Sequence, residues 1–290
     1  KHLDTPEQKA LDAALADGKS VVDGTSTEDV TKVYAALKAA IYNYRLSLAS
    51  PEEPLELTSN MLSPGFEDNS KGWVCNGFSP QSNDAFELKE GTYYCEIWSG
   101  WGNVADGDIH QIVELPNGNY QLTVLAQNIQ ESNKAIPQKG AYVYANNARK
   151  ELSLTGKYTL DFVVVDNQAK IGVNTIGCTG NKVSIDDFHI YYTGFDDDAQ
   201  FAEFRQMIQE GEALLESPQH ADSLAMLAKA VEEAKAVTKT EDIAAKANIL
   251  RKAITASQVS VGDYALFLEA IQRSEQVLAE GLPNGNNELK

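Results

Sequence analysis

Val183-Ser184-Ile185-Asp186-Asp187-Phe188-His189-Ile190-Tyr191-Tyr192 changes the parity of its apolar residues half-way along: Val183 and Ile185 share one parity, Phe188 and Ile190 the other. Successive side chains of a strand point to opposite faces, so both pairs reach one core only if an extra residue is inserted between them. The stretch therefore reads as one long strand carrying a β-bulge at Asp186-Asp187. Short runs of the same kind fill the chain from 57 to 193, at 92–98, 108–114, 141–145, 159–165 and 170–174, separated by Gly, Pro, Asn and Asp. Tyr120, Leu122, Val124 and Ala126 alternate with polar neighbours, and the preceding Leu115-Pro116-Asn117-Gly118 predicts a tight hairpin back to 108–114. Such spacing is that of an antiparallel sandwich.

Outside this region the period becomes helical. Thr5-Pro6-Glu7-Gln8 supplies a cap, a first-turn proline and a capping-box partner. A second helix is predicted from about Thr27, with Val30, Val33, Tyr34, Leu37, Ile41 and Tyr44 on one face, ending before Pro51 and Pro54. Four further helices are predicted between 200 and 280. Thr27-Glu28-Asp29-Val30 matches Thr240-Glu241-Asp242-Ile243, and Ile41 and Ile254 each follow 11 residues later. Phe201, Phe204, Ile208, Gln209, Glu212 and Leu215 match Tyr264, Phe267, Ile271, Gln272, Glu275 and Leu278 at a constant offset of 63. The repeat is three helices long, here called a, b and c. The chain then reads as b and c, the β region, a, b and c, and a lone a. An amphipathic helix cannot bury its stripe by itself, so the lone helix predicts further domains of the same polypeptide beyond Lys290. The predicted division is a helical pair at 1–50, a β-sandwich at 55–195, a three-helix bundle at 198–258 and the first helix of another repeat at 259–290.

The chain has 290 residues, with 24 Lys and Arg against 42 Asp and Glu, a net charge of −18. Such a field repels phosphate backbones, which argues against a nucleic-acid partner. No stretch approaches the roughly 20 apolar residues of a membrane span, so no membrane insertion is expected. Cys75, Cys95 and Cys178 show no CxxC spacing. One disulfide with a free thiol and three separate thiols both fit three cysteines.

Asn60, Pro64-Gly65-Phe66-Glu67, Gly72-Trp73, Asp108-Ile109-His110-Gln111, Leu115-Pro116-Asn117-Gly118-Asn119-Tyr120 and Asp186-Asp187-Phe188 occur in that order. This order resembles galactose-binding-like carbohydrate-binding modules of secreted polysaccharide-degrading systems, especially those of gut Bacteroidetes. The helices resemble FIVAR-type three-helix modules of large secreted bacterial surface proteins. The resemblance implies a multidomain all-β plus all-α protein: an antiparallel jelly-roll β-sandwich between α-helical bundle modules. It also implies a structural calcium ion between the first and last strands, carried over to Glu67 and Asp187, with Asp186 the alternative. Carboxylates re-aimed by a bulge offer hard oxygen ligands suited to calcium; surface hydrogen bonding is the other reading.

Sugar recognition needs flat aromatic faces beside amide and carboxylate groups. Strict alternation over 92–98 puts Tyr93, Cys95 and Ile97 in the core and leaves Tyr94, Glu96 and Trp98 outside. The Gly-rich loop that follows adds Trp101, Asn103 and Asp106, so these six form the predicted carbohydrate site. Trp98 reads equally as a core residue, whereas Trp101 sits between two glycines. Trp73 is expected under the sheet, and Tyr142 with Tyr144 forms a second platform. Glu96, Asp106 and Asp108 would be the acids of a glycosidase, but no GxSxG, HExxH or phosphate-loop pattern is present. His2, His110, His189 and His220 are scattered. The sequence thus predicts a non-catalytic polysaccharide- or glycan-binding module of a larger extracytoplasmic protein, whether secreted, periplasmic or on the cell surface. An adhesive or structural spacer and a glycoside hydrolase fragment are its rivals.

Overall fold

In the computed structural model, residues 4–280 are described. They form two compact units, one holding residues 4–164 and 168–196 and the other 165–167 and 197–280. The first contains α1 (Pro6–Val22), α2 (Val30–Leu48) and eleven strands: β1 (Leu55–Glu56), β2 (Val74–Asn76), β3 (Ser79–Gln81), β4 (Tyr94–Trp98), β5 (Asp108–Glu114), β6 (Gly118–Ile129), β7 (Ala141–Ala145), β8 (Ala148–Leu152), β9 (Gly156–Val164), β10 (Gln168–Asn174) and β11 (Lys182–Gly194). The second contains α3 (Asp197–Leu215), α4 (Ala221–Lys235) and α5 (Thr240–Glu280).

The strands make an antiparallel β-sandwich. One sheet runs β3-β4-β11-β6-β9, with β1 also on β11, and the other β2-β5-β10-β7-β8. Alternate residues of each strand meet in the shared core: Cys95 and Ile97; Leu122, Val124 and Ala126; Ile109 and Val113; Ala169, Ile171 and Val173. Gln111 takes a core position between Ile109 and Val113, where its amide bonds both backbone groups of Leu62, at 2.9 and 2.8 Å, and so carries no unmet polar atom inward.

The expected bulge is present. Asp186 lies opposite Leu125 and His189 opposite Thr123, so three steps on β11 match two on β6, and Asp187 adopts φ 52°. Val183, Ile185, Phe188 and Ile190 are consequently all buried. Phe188 packs against Trp73 and Phe66 with ring centroids 5.0 and 6.3 Å away, and Trp73 is under the sheet as expected. The hairpin expected at Asn117-Gly118 does not form, because β5 and β6 belong to different sheets and 115–117 carries the chain between them. Gly118 is required there: a Cβ would stand 2.3 Å from the Tyr192 ring.

Thr5 caps α1, its Oγ1 accepting the Gln8 N–H at 3.2 Å. Helix α2 begins at Val30, three residues after the predicted start, because Asp29 and not Thr27 accepts the first N–H groups, from Thr31 and Lys32. Tyr42, Leu46 and Ala49 set the pair against the sandwich core. The predicted four C-terminal helices are three: c and the following a form one 41-residue helix. No proline interrupts 240–280, and Gly262 by itself weakens a helix by only about 1 kcal/mol. Residues 259–280 therefore do not form the separate helix expected at 259–290, of which 281–290 lie outside the described residues. In the bundle Gly211 lets helices approach closely, since a Cβ there would be 2.9 Å from Val231 Cγ2. Cys75, Cys95 and Cys178 are all free thiols.

Phe188→Ala should lower stability of the sandwich by about 3–5 kcal/mol, through lost burial and the cavity left between Trp73 and Phe66. Urea unfolding followed by tryptophan fluorescence reads this, and a change below about 1 kcal/mol would contradict the packing.

Candidate functional site

Cross-strand pairing builds the outer face of the first sheet in two rows. Trp98, Lys182 and Ile129 stand side by side on β4, β11 and β6, and Glu96, Ser184 and Gln127 form the next row. The two rows differ in access because the 82–91 loop covers the second. Phe86 of that loop packs on Tyr94 at 5.6 Å, and both rings are buried. Tyr94 Oη lies 2.8 Å from Asn83 Oδ1 and 3.1 Å from Glu96 Oε2, while Ser184 Oγ donates to Glu96 Oε2 and Gln127 Nε2 donates to Ser184. Burial, then the adjacent Glu96 charge, pushes the Tyr94 hydroxyl upward, so it stays a proton donor. Tyr94 and Glu96, expected to contact ligand, are thus structural groups beneath the loop. Alternation assigned their face correctly but could not show that a loop lies over it.

In the first row Lys182 and Ile129 are buried and Trp98 is open to solvent. Trp98 is 55% exposed, and its Nε1 donates to Glu131 Oε2 at 2.9 Å. Glu131 Oε1 meets Lys182 Nζ at 2.6 Å, and that ammonium lies 5.9 Å from the Trp98 ring. The bond from Lys182, then that from Trp98, holds the Glu131 carboxyl below the usual carboxylate range. Glu131 therefore holds the indole by its N–H edge, while the Lys182 ammonium lies over the ring. Trp101 is 95% exposed in the adjacent loop, whose start is tied by Ser99 Oγ donating to the Trp101 carbonyl at 2.7 Å. A Cβ on Gly100 would stand 3.4 Å from the Trp98 ring, so the loop backbone borders that indole.

Asn103 accepts a bond from Gln130 Nε2 at 3.2 Å, and Asp106 accepts the Gly177 N–H at 3.0 Å. The 99–107 loop is thereby joined to the segments around 130 and 177. Four of the six predicted residues, Trp98, Trp101, Asn103 and Asp106, lie at this end of the sandwich. Glu131, Lys182 and Gln130 join them and were missed. Lys182 enters only through its register opposite Trp98, and no sequence pattern marks Glu131.

The second platform is locked. Tyr144 is buried, its hydroxyl donating to Asp108 Oδ1 at 2.9 Å, and Asp108 Oδ2 is 2.6 Å from His110 Nδ1. Tyr142 stands 4.9 Å below the Arg149 guanidinium. Of the three acids considered for hydrolysis, Glu96 is on one sheet and Asp108 on the other.

Glu67 and Asp187 do not form the expected ligand pair. Glu67 Oε1 accepts the N–H groups of Thr92 and Tyr93 at 2.8 and 2.9 Å, whereas Asp187 Oδ1 lies 3.0 Å from His189 Nε2. Asp186 accepts the Glu90 N–H and the Asp187 N–H, both at 2.8 Å. Backbone N–H groups thus occupy Glu67 Oε1 and both Asp186 oxygens, the His189 ring meets Asp187 Oδ1, and no group of three or more His, Cys, Asp or Glu among the described residues is placed to hold a metal. These donors do not fit the ion. Among the described residues no helix is long and apolar enough to cross a membrane.

The fold and this rim define a β-sandwich with an aromatic, charge-braced edge. No protein-family model matches the chain, and no curated protein matches it. Among solved structures it is similar to TmCBM61 in complex with beta-1,4-galactotriose, at 18% identity over 46% of this chain and 97% of that one, TM-score 0.37. It is also similar to a cyclase from Fischerella sp. TAU, at 12% identity over 49% and 99%, TM-score 0.38. A third is the CBM22-1 xylan-binding domain from Paenibacillus barcinonensis Xyn10C, at 12% identity over 47% and 95%, TM-score 0.35.

Asp186 is pushed up to about 7, chiefly by burial, so the native state holds a proton that the unfolded chain has released by about pH 5. Unfolding free energy should therefore fall as pH rises from about 4 to 7 and then level off. Asp186→Asn should flatten that slope in urea titrations, and an unchanged slope would sink the assignment. A chelator should leave the melting temperature unmoved; a drop would place a cation beside these carboxylates.

Proposed function

We propose that the sandwich is a non-catalytic glycan-binding module that seats a sugar chain on Trp98 and Trp101. The observation that carries this reading is the pair of exposed indoles at one end of the fold, one of them clamped by Glu131 and Lys182. A clamped ring loses little freedom on binding, and its apolar face suits the C–H face of a pyranose. Asn103, Gln130, Glu131 and Asp106 surround the rings with acceptors and donors for hydroxyl groups. A chain of net charge −18 suits neutral more than anionic glycans. Polysaccharides of this kind are met outside the cytoplasm, which supports the reading of a module in a secreted, periplasmic or surface protein, accessory to other domains of its polypeptide.

The experiment is a glycan array followed by titration calorimetry. Trp101→Ala should weaken binding about tenfold or more, and Trp98→Ala with Trp101→Ala should abolish it, while both variants keep the wild-type melt. Binding unchanged in the double variant would overturn the site. Glu131 is held below the usual carboxylate range, so affinity should persist from neutral pH down to about 4.5 and weaken only below it. Turnover of a bound glycan would overturn the non-catalytic reading.

A further inference from the structure

The sheet β2-β5-β10-β7-β8 turns its other set of side chains outward, away from the shared core. Cross-strand pairing puts His110, Gly172, Tyr144 and Arg149 in one row of that face, with Tyr142 and Lys170 in the rows on either side. Gly172 shapes the row, because a Cβ there would stand 2.8 Å from Tyr144 Oη and 2.2 Å from the Ile109 carbonyl oxygen. Tyr144 therefore crosses β10 to reach Asp108 on β5, and its ring is buried.

Two cations stand over the two tyrosine rings. Arg149 Cζ is 4.9 Å from the Tyr142 centroid, Lys170 Nζ is 5.7 Å from that of Tyr144, and the rings are 6.2 Å apart. Both cations are exposed, and among the described residues neither has an ion-pair or hydrogen-bond partner for its charge. In a chain with 42 Asp and Glu against 24 Lys and Arg, two neighbouring cations left unpaired are an exception. The acids of this face are engaged elsewhere: Asp108 takes the Tyr144 hydroxyl at 2.9 Å and meets His110 Nδ1 at 2.6 Å, and Glu151 Oε1 accepts the Gly140 N–H at 3.2 Å. Burial, then the Asp108 charge, pushes the Tyr144 hydroxyl upward, so no tyrosinate supplies a counter-charge. A ring braces a cation without neutralising it. Like charges gathered on one patch repel each other, and an incoming anion turns that cost into attraction.

We propose that this face is a second glycan site, in which Arg149 and Lys170 bind the carboxylate of a uronic acid residue. The proposal rests on the reading of the sandwich as a glycan-binding module, and its site is separate from the Trp98 and Trp101 rim. The guanidinium fork matches the two oxygens of a planar carboxylate, Lys170 adds a point charge, and His110 keeps Nε2 for a sugar hydroxyl. With −18 on the whole chain, the site suits single acid residues on a largely neutral glycan more than a polyanion.

Methyl glucuronide and methyl glucoside differ only in a carboxylate against a hydroxymethyl group, so amide-shift NMR titrations with the pair isolate the acid. Wild type should bind the glucuronide at least about tenfold more tightly, and about 0.5 M NaCl should remove most of that preference. An Arg149→Gln, Lys170→Gln variant should lose the preference and keep the wild-type melt, whereas the Trp98→Ala, Trp101→Ala variant should retain it. Equal affinity for the two sugars, no binding of the glucuronide, or a preference that survives in the Arg149→Gln, Lys170→Gln variant would overturn the proposal. A preference lost in the tryptophan variant would overturn it as well, by assigning the acid to the rim, and tighter binding of glucose 6-sulfate would overturn the choice of a carboxylate. If the cation variant loses the preference while neutral glycans ignore the tryptophans, this site stands and the rim falls.

Discussion

The bulge at Asp186-Asp187 is the constraint on which the sandwich depends. β11 is paired with β4 along its first half and with β6 along nearly all of it. A strand in that position with unchanged parity would have turned either Val183 and Ile185 or Phe188 and Ile190 out of the core. The inserted residue lets all four enter. It also places Asp186 against the 90–93 loop, where this carboxylate and that of Glu67 hold backbone N–H groups together. The same local event thus joins the core to the loop that covers Tyr94.

Much of this was legible because it rests on period and sterics. The parity switch located the bulge, alternation put Tyr94, Glu96 and Trp98 on one face, and the glycines beside Trp101 marked it as exposed. Long-range facts were not legible. Asn117-Gly118 has the chemistry of a hairpin, yet tertiary packing of Tyr192 on Gly118 makes it a link between sheets. The burial of Glu96 depends on a loop whose covering position no local pattern encodes, and Lys182 meets Trp98 only through register. The resemblance that suggested Glu67 and Asp187 as metal ligands carried no information about the backbone N–H groups on Glu67 or the His189 ring on Asp187.

Within the rim, the two tryptophans differ in freedom. Trp98 is held on three sides by an acceptor, a cation and a bordering backbone, whereas Trp101 is tied only through its main chain. Buried Lys182 is the element that makes this arrangement rigid, since its charge is matched by Glu131 and lies over the ring.

The continuity of α5 has a consequence for how its outer half holds its shape. A free helix of about 20 residues is marginal in water because starting the first turn is costly. Here the turns packed in the bundle have already set the helical backbone, and the exposed half only extends it, one hydrogen bond per residue. Its order is borrowed from the bundle and declines toward the far end, so amide exchange along 261–280 should grade smoothly and not switch off as one block.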